Sequence, residues 1–320
     1  MEIILGIDHL KRPFLNPAVT LGNFDGVHVG HQKIFARLRG EAARMGGEAV
    51  VITFEPHPLK VLYPDRCPPL LTPFRQKMQL IEACGIETVL CIEFTKAFSQ
   101  MSPLAFVTDI LIEKVSAKKI IVGYNYHFGK NKGGNVETLR AVSKSFHVNV
   151  DVMEPLIFEG IVVSSSKIRT LIKAGDVETG AKLLGRDVSL SGKVVEGAKR
   201  GNALLGFPTA NLAISEDLVP RAGVYAVEVL WNHRAYNGVA NLGVNPTFQP
   251  VHSGKISLEV YILDFNRNIY GEEIEVRFKK RIRDEVRFES TAALIDRIQK
   301  DVQWAQENVF KIKTRQPASG

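Results

Sequence analysis

The feature that most constrains this chain is a change of hydrophobic rhythm just past its midpoint. In the first half, apolar runs rich in Val, Ile and Phe alternate with segments of helical period: AVTLGNF (18–24), EAVVITF (48–54), TVLCIEF (88–94), KKIIVG (118–123) and HVNVDVM (147–153). Near-continuous runs predict strands covered on both faces, as in a parallel sheet. Between them Ile34, Phe35, Leu38, Ala42 and Met45 recur at helical spacing, Ser102 and Pro103 supply a cap and a first-turn proline to LAFVTDILIEKV, and Gly85 stops FRQKMQLIEAC. Strand, helix, strand repeated in this way predicts a doubly wound α/β domain, whose ligands bind beyond the carboxyl ends of the strands.

After two more helical stretches, SSSKIRTLIKAG and DVETGAKLLG, the rhythm becomes one of short alternating strands: SLSGKVVEG, GVYAVEVLW, AYNGVANLG, ISLEVYILD and EIEVRF. Turn residues such as WNH and NRN separate them and no crossover helices intervene, so an antiparallel β-barrel is expected. A final amphipathic helix, TAALIDRIQKDVQWAQENVF, offers Leu294, Ile298, Val302 and Ala305 on one stripe to cap the barrel. The pattern switches near residues 185–187, dividing the chain into domains 1–185 and 186–320, and 320 residues suit two cores. The polar tail at 313–320 is expected to fray.

Composition narrows the function classes. Hydrophobic residues make up 45% and charged ones 23%, enough to bury cores, and no stretch approaches the roughly 20 apolar residues that cross a bilayer. The opening MEIILGIDHLKRPF is interrupted by Asp8 and His9 with no basic region before it, so it does not read as a signal peptide. Cys67, Cys84 and Cys91 form no CxxC pair and leave one unmatched, which points to a reducing cytoplasm. The net charge of +7 suits anionic partners, yet no basic run interleaved with aromatics occurs, so nucleic acid and membrane are not the expected partners. Oligomeric state is open.

Four segments carry candidate chemistry. GNFDGVHVGH (22–31) joins the first predicted strand to the first helix: Gly22, Gly26 and Gly30 allow a tight turn and close ligand approach, and helix-start amides attract phosphate. His28 and His31 are three apart and share a face, where imidazoles can donate to phosphoryl oxygens; taken alone they also suit a surface or capping role. VSSSKIR (163–169) opens another helix with three hydroxyls, Lys167 and Arg169, which could hold phosphate, although the segment taken alone reads first as a serine cap with solvated bases. In GFPTANL (206–212), Thr209 and Asn211 point to one side of an extended segment, and their oxygens are hard ligands suited to Mg²⁺ and triphosphate, or merely a polar strand edge. In ISLEVYILD, Glu259 falls on the face opposite the apolar set Ile256, Leu258, Val260 and Ile262.

The pairing of HxGH with SSSxxR resembles the nucleotidylyltransferase superfamily. FEPHP (54–58), LTPFRQKMQLIEACGIETVLCIEF (71–94) and VGYNYHFGKNKGG (122–134) resemble the adenylyltransferase module of bacterial bifunctional riboflavin kinase/FAD synthetases. GVYAVEV (223–229), VANLGVNPTF (239–248), LEVYILDFNRNIYG (258–271) and KRIRDEVRF (280–288) follow, in order, the riboflavin kinase module of that family. The resemblance implies phosphorylation of riboflavin to FMN and adenylyl transfer from ATP to FMN, giving FAD, with Mg²⁺ as cofactor. It implies that His28 and His31 bind ATP phosphates and stabilise the transition state. Gly22, Phe24, Gly26, Ser164, Ser165 and Arg169 would complete that phosphate site. It puts Asn125 in the flavin pocket with His57 in the nearby PHP loop, Thr209 and Asn211 on Mg²⁺ and triphosphate, Glu259 as general base, and Arg281 and Arg283 near the flavin. The chain departs from the family pattern at Asn125-Tyr126, at His127 and at Asn202.

Overall fold

The computed structural model describes residues 1–196, 209–214, 217–245, 255–286 and 288–310. They form two compact units, Met1–Ser165 and Ser166–Gly320.

The first unit is built on β1 (Glu2–Leu5), β2 (Ala18–Leu21), β3 (Ala49–Glu55), β4 (Thr88–Glu93), β5 (Lys119–Gly123) and β6 (Asn149–Met153), in the order β1-β4-β3-β2-β5-β6. Every pairing is parallel. Five strands match the expected runs; β1 is additional, a four-residue edge strand whose partner β4 lies more than eighty residues along the chain. Alternation along the strands buries both faces of the sheet. Val50, Ile52 and Phe54 join Val19, Leu21, Ile120 and Val122 on one side, whereas Val51 joins Ala18, Val89 and Ile121 on the other.

Helix α1 (Val29–Arg44) covers the second face with Phe35, Leu38 and Ala42. After the short α2 (Pro58–Leu62), α3 (Phe74–Ala83) adds Met78 and Ile81 to the same layer. Helix α4 (Pro103–Ala105) starts as expected, with Ser102 Oγ accepting from the Ala105 N–H at 3.1 Å. It then continues with π-helical geometry over Phe106–Lys114, which hydrophobic periodicity does not reveal. Phe106, Val107, Ile110 and Leu111 cover the first face together with Leu139 of α5 (Val136–Lys144). A small hairpin of β7 (Ile157–Phe158) and β8 (Ile161–Val162) follows.

Helix α6 (Ser165–Ala174) leads to α7 (Val177–Leu184), which Asp176 caps by accepting from the Thr179 N–H at 3.0 Å. Gly185 closes α7 at φ 73°, a left-handed cap where the sequence rhythm changes. The barrel comprises β9 (Val188–Val195), β10 (Thr209–Ile214), β11 (Gly223–Trp231), β12 (Arg234–Asn245), β13 (Lys255–Ile262) and β14 (Glu273–Arg283), closed in the order β10-β13-β12-β11-β14-β9. Cross-strand neighbours share a face. Ala210, Val260, Ala240 and Tyr225 therefore form one inward row, and Leu212, Leu258 and Leu242 the next; all are buried.

Helix α8 (Thr291–Ala305) and a π-helical turn, Gln306–Phe310, pack outside the barrel. Of the expected stripe, Val302 and Ala305 join Val224, Ala226 and Val239, while Leu294 and Ile298 are only half-buried. The α6–α7 pair belongs to this unit: the Arg221 N–H donates to the Ile172 carbonyl at 3.3 Å, Lys280 pairs with Glu178 at 3.2 Å, and Val177, Leu183 and Leu184 are buried. At Gly175 (φ +85°) a Cβ would meet Arg281 Cδ at 2.7 Å, so the α6–α7 turn requires glycine. Cys67, Cys84 and Cys91 are not joined in disulfides.

Candidate functional site

In the parallel sheet β2 lies between β3 and β5, so the winding direction reverses at β2 and β5. The crevice at such a switch point is where open α/β sheets bind ligands. Two expected segments lead from those strand ends, the loop of residues 22–28 after β2 and the loop bearing Asn125 after β5.

Phe24 (φ 50°), Gly26 (φ 86°) and Val27 (φ 41°) bend the first loop sharply. Ties from distant segments hold it. The Asp25 carboxylate accepts from the backbone N–H groups of Leu71 and Thr72 at 3.0 and 3.1 Å, Thr72 Oγ1 accepts from the Gly26 N–H at 3.1 Å, and the Ser165 hydroxyl donates to the Asp25 carbonyl at 2.9 Å. Ser165 thus spends its proton on the loop.

His28 is the N-cap of α1, its Nδ1 accepting from the His31 N–H at 3.3 Å. An accepting Nδ1 carries no hydrogen, so Nε2 holds the proton of the neutral ring. The two imidazoles stack, with centroids 3.5 Å apart and planes 17° from parallel, and Phe24 meets His31 edge-on at 5.2 Å. A Cβ on Gly30 would stand 3.2 Å from the His28 ring, so glycine there makes room for it. Burial, and then the neighbouring His28, push the His31 pKa well below its usual 6.5. His31 is neutral at pH 7, and its buried Nδ1 has no partner among the described residues.

His57 is buried and caps α2, Nδ1 accepting from the Leu59 N–H at 3.2 Å. Asn125 is exposed, its carbonyl 2.9 Å from His127 Nδ1. Ser164 is half-buried and Arg169 buried; each interacts with other groups of the protein.

In the barrel, register assembles what sequence left scattered. Asn211 on β10 pairs directly with Glu259 on β13, Glu259 with Asn241 on β12, and Thr209 with Tyr261. All five lie on the outer face, in rows that lead to Val224 and Ala226 under α8. Glu259 is exposed, and its carboxylate has no hydrogen bond or ion pair among the described residues. Asn241, which sequence reasoning did not single out, donates from Nδ2 to Glu285 at 3.3 Å. Only register identifies it as a neighbour of Glu259.

Both arginines are held by the protein. Arg283 clamps the buried Asp301 of α8 through Nε at 3.0 Å and Nη2 at 2.7 Å. Arg281 donates through Nη2 to the Ala222 carbonyl at 2.8 Å and to Asp284 at 2.7 Å. Gly206, Phe207, Pro208 and Asn202 lie outside the described residues, as does the tail at 313–320. No cluster of three or more His, Cys, Asp or Glu side chains suited to a metal occurs among the described residues. The hard oxygens of Thr209 and Asn211, two apart on β10 and so on one face, nevertheless fit Mg²⁺, which keeps several waters and completes its shell with substrate phosphates.

A helix start at the switch point of a parallel sheet, joined in one chain to a barrel bearing a free carboxylate beside an amide, defines a two-domain transferase that handles phosphorylated nucleotides. Comparison with known proteins makes the class specific: residues 13–167 match the family model described as FAD synthetase and residues 184–309 that described as riboflavin kinase. The bifunctional riboflavin kinase/FMN adenylyltransferase of Bacillus subtilis is 36% identical over 298 residues, covering 92% of this chain and 93% of its own. That of Buchnera aphidicola from Acyrthosiphon pisum is 35% identical over 314 residues, covering 97% and 100%. A crystal structure from Streptococcus pneumoniae, described as a macrolide-efflux protein, superposes with a TM-score of 0.87 at 31% identity, covering 96% of this chain and 99% of that one. In the chain described here, no helix of the described residues is long and apolar enough to cross a membrane. The chain belongs to the bifunctional riboflavin kinase/FMN adenylyltransferase family. It uses ATP twice, to phosphorylate riboflavin to FMN and to adenylylate FMN to FAD with release of pyrophosphate.

Proposed function

We propose that the adenylyl transfer is performed at the loop of residues 22–28 and the phosphorylation on the outer face of the barrel around Glu259. The observation that carries this division is that each half of the chain presents its own uncommitted group: the unpartnered His31 Nδ1 in one, the free Glu259 carboxylate in the other. We assign the first activity to residues 1–185 and the second to 186–320; the left-handed cap at Gly185 and the start of the second family match at residue 184 support that boundary.

In adenylyl transfer an FMN phosphate oxygen attacks the α-phosphorus of ATP and pyrophosphate leaves in line, so the protein has to align two anions and neutralise the charge that develops. His28 and His31 donate to the phosphoryl oxygens, with loop amides at Gly22, Phe24 and Gly26 beside them. Ser164 and Arg169 complete the phosphate site, and Ser165 holds the loop through Asp25. Asn125 and His57 border the flavin. In the kinase, Glu259 accepts the proton from the riboflavin 5′-hydroxyl as that oxygen attacks the γ-phosphorus of ATP. Thr209 and Asn211 would hold Mg²⁺, which would screen the triphosphate charge. Arg281 and Arg283 fix the wall on the flavin side. The reduced thiols Cys67, Cys84 and Cys91 fit a reducing cytoplasm, where we place the enzyme.

The test is a product assay. Purified protein with riboflavin and ATP should give FMN and then FAD on chromatography in the presence of Mg²⁺, and neither with a chelator. With Glu259→Gln, supplied FMN should still become FAD, whereas with His28→Ala riboflavin should stop at FMN. If one substitution abolished both steps, or neither, the division of labour would be wrong.

A further inference from the structure

One buried cation behind the adenylyl-transfer loop has no role in the chemistry above. Lys77, on α3, is 6% exposed, and among the described residues it forms no ion pair. Its Nζ donates to Thr53 Oγ1 at 3.3 Å and to the Asn23 carbonyl at 3.5 Å, and Thr53 Oγ1 donates to that same carbonyl at 3.4 Å. The ammonium stands 5.5 Å from the Phe74 ring centroid, in a small cavity bordered by Asn23, Asp25, Glu55, His57 and Thr72.

Burying an ammonium without a direct counter-charge is unfavourable, and a methionine would fill the same space without that penalty. Burial lowers the Lys77 pKa, opposed by Glu55, Cys91 and Asp25 around it. What the ammonium accomplishes follows from peptide geometry. In a trans peptide the C=O and N–H point in opposite directions, so an Asn23 carbonyl drawn inward to Lys77 turns the Phe24 N–H away from it. That N–H has no partner among the described residues. It lies at the start of the run of positive φ angles that leads to His28, and successive amides in such a turn form an anion-binding concavity.

We propose that Lys77 is a positioning residue for adenylyl transfer, anchoring the Asn23 carbonyl from behind with Thr53 so that the Phe24 amide and the His28–His31 pair meet the nucleotide phosphates. The inference rests on reading residues 22–31 as the phosphate loop.

Three variants test it, with the kinase activity of the same chain as internal control. Lys77→Met should lower kcat for FAD formation from FMN by about 10²-fold, the usual consequence of a reacting group misplaced by about 1 Å. The KM values for ATP and FMN should change by less than about threefold and riboflavin phosphorylation should be unaffected, because the loss is one of alignment. In Lys77→Ala, added propylammonium should restore part of the rate while propanol should not. Thr53→Val, which keeps shape and the lysine but removes the shared hydroxyl, should cost about tenfold, close to the worth of one hydrogen bond. Thermal melts of each variant separate misfolding from misalignment, and if Lys77→Met does not fold, Thr53→Val and the amine rescue decide. Parent kcat in Lys77→Met or in Thr53→Val, or equal rescue by propanol, would overturn the proposal. If His28→Ala also ran at the parent rate, the phosphate-loop reading itself would have failed; a slow His28→Ala beside a fast Lys77→Met would sink the Lys77 inference alone.

Discussion

The two halves of this chain build phosphate chemistry by opposite means. In the parallel-sheet half the groups we propose for the reaction sit on a loop of unusual backbone angles, tied from behind by Asp25, Thr72 and Ser165, and the two imidazoles stack on one another. In the barrel half the central carboxylate stands on a regular strand, exposed and unattached, with its neighbours placed by register alone. The first design depends on many contacts that hold a backbone shape. The second depends on one side chain and on the closure of the barrel.

That contrast can be broken at several strengths. Glu259→Gln removes the proposed proton acceptor while conserving volume, and riboflavin phosphorylation should fall about 10²–10⁴-fold, the reach of a general base. Steady-state kinase assays read it, and a parent rate would mean that the barrel, too, works through distributed contacts. His28→Ala and His31→Ala should each slow FAD formation from FMN by about 10²–10³-fold, typical of losing one transition-state donor, with FMN formation preserved.

A third test concerns stability. A kinase fragment starting at Arg186 lacks Val177, Leu183 and Leu184, which are buried in the same unit as the barrel. It should unfold in denaturant about 2 kcal/mol more easily than a fragment starting at Ser166, as expected for roughly 80 Å² of apolar surface left uncovered on the barrel. Equal midpoints would show that the barrel stands without the α6–α7 pair.

The smallest effect is the pH dependence of folding. The His31 pKa is lowered in the folded chain, so as pH falls through about 6.5 the unfolded chain binds a proton that the folded one refuses. Stability should therefore drop on acidification from pH 7 and level off below the folded pKa. Denaturation of His31→Gln across the same range should show a shallower drop; an unchanged slope would mean that His31 is not held neutral.

Hydrophobic rhythm made most of the architecture legible: five of six parallel strands, the barrel, the cap at Ser102 and the stop at Gly85. Chain-local patterns carry that much because burial on one or two faces leaves a period in the sequence. Glu259 was legible for the same reason, since strand alternation fixes its face. Asn241 was not, because its relation to Glu259 exists only across two strands, and neither was Lys77, which looks from sequence like a solvated residue on an amphipathic helix. The engagement of Arg283 by Asp301 likewise spans β14 and α8 and leaves no local signal. The π-helical segment Phe106–Lys114 has the composition of an ordinary apolar helix, and its backbone pattern depends on packing.

The order in which the strands are joined has a consequence for synthesis at the ribosome. All six strands of the parallel sheet have been made by Met153, so that unit can pair its strands while the rest of the chain is still being translated. The barrel closes differently, since β9 pairs with both β10 and β14, its first strand with its last. No closed cylinder exists until Arg283 has been added, and long-range closure of that kind folds slowly. A nascent chain halted anywhere between β9 and β14 would thus carry a finished sheet and an open barrel, and on the division of labour proposed above it could adenylylate FMN that reaches it but could not make FMN for itself.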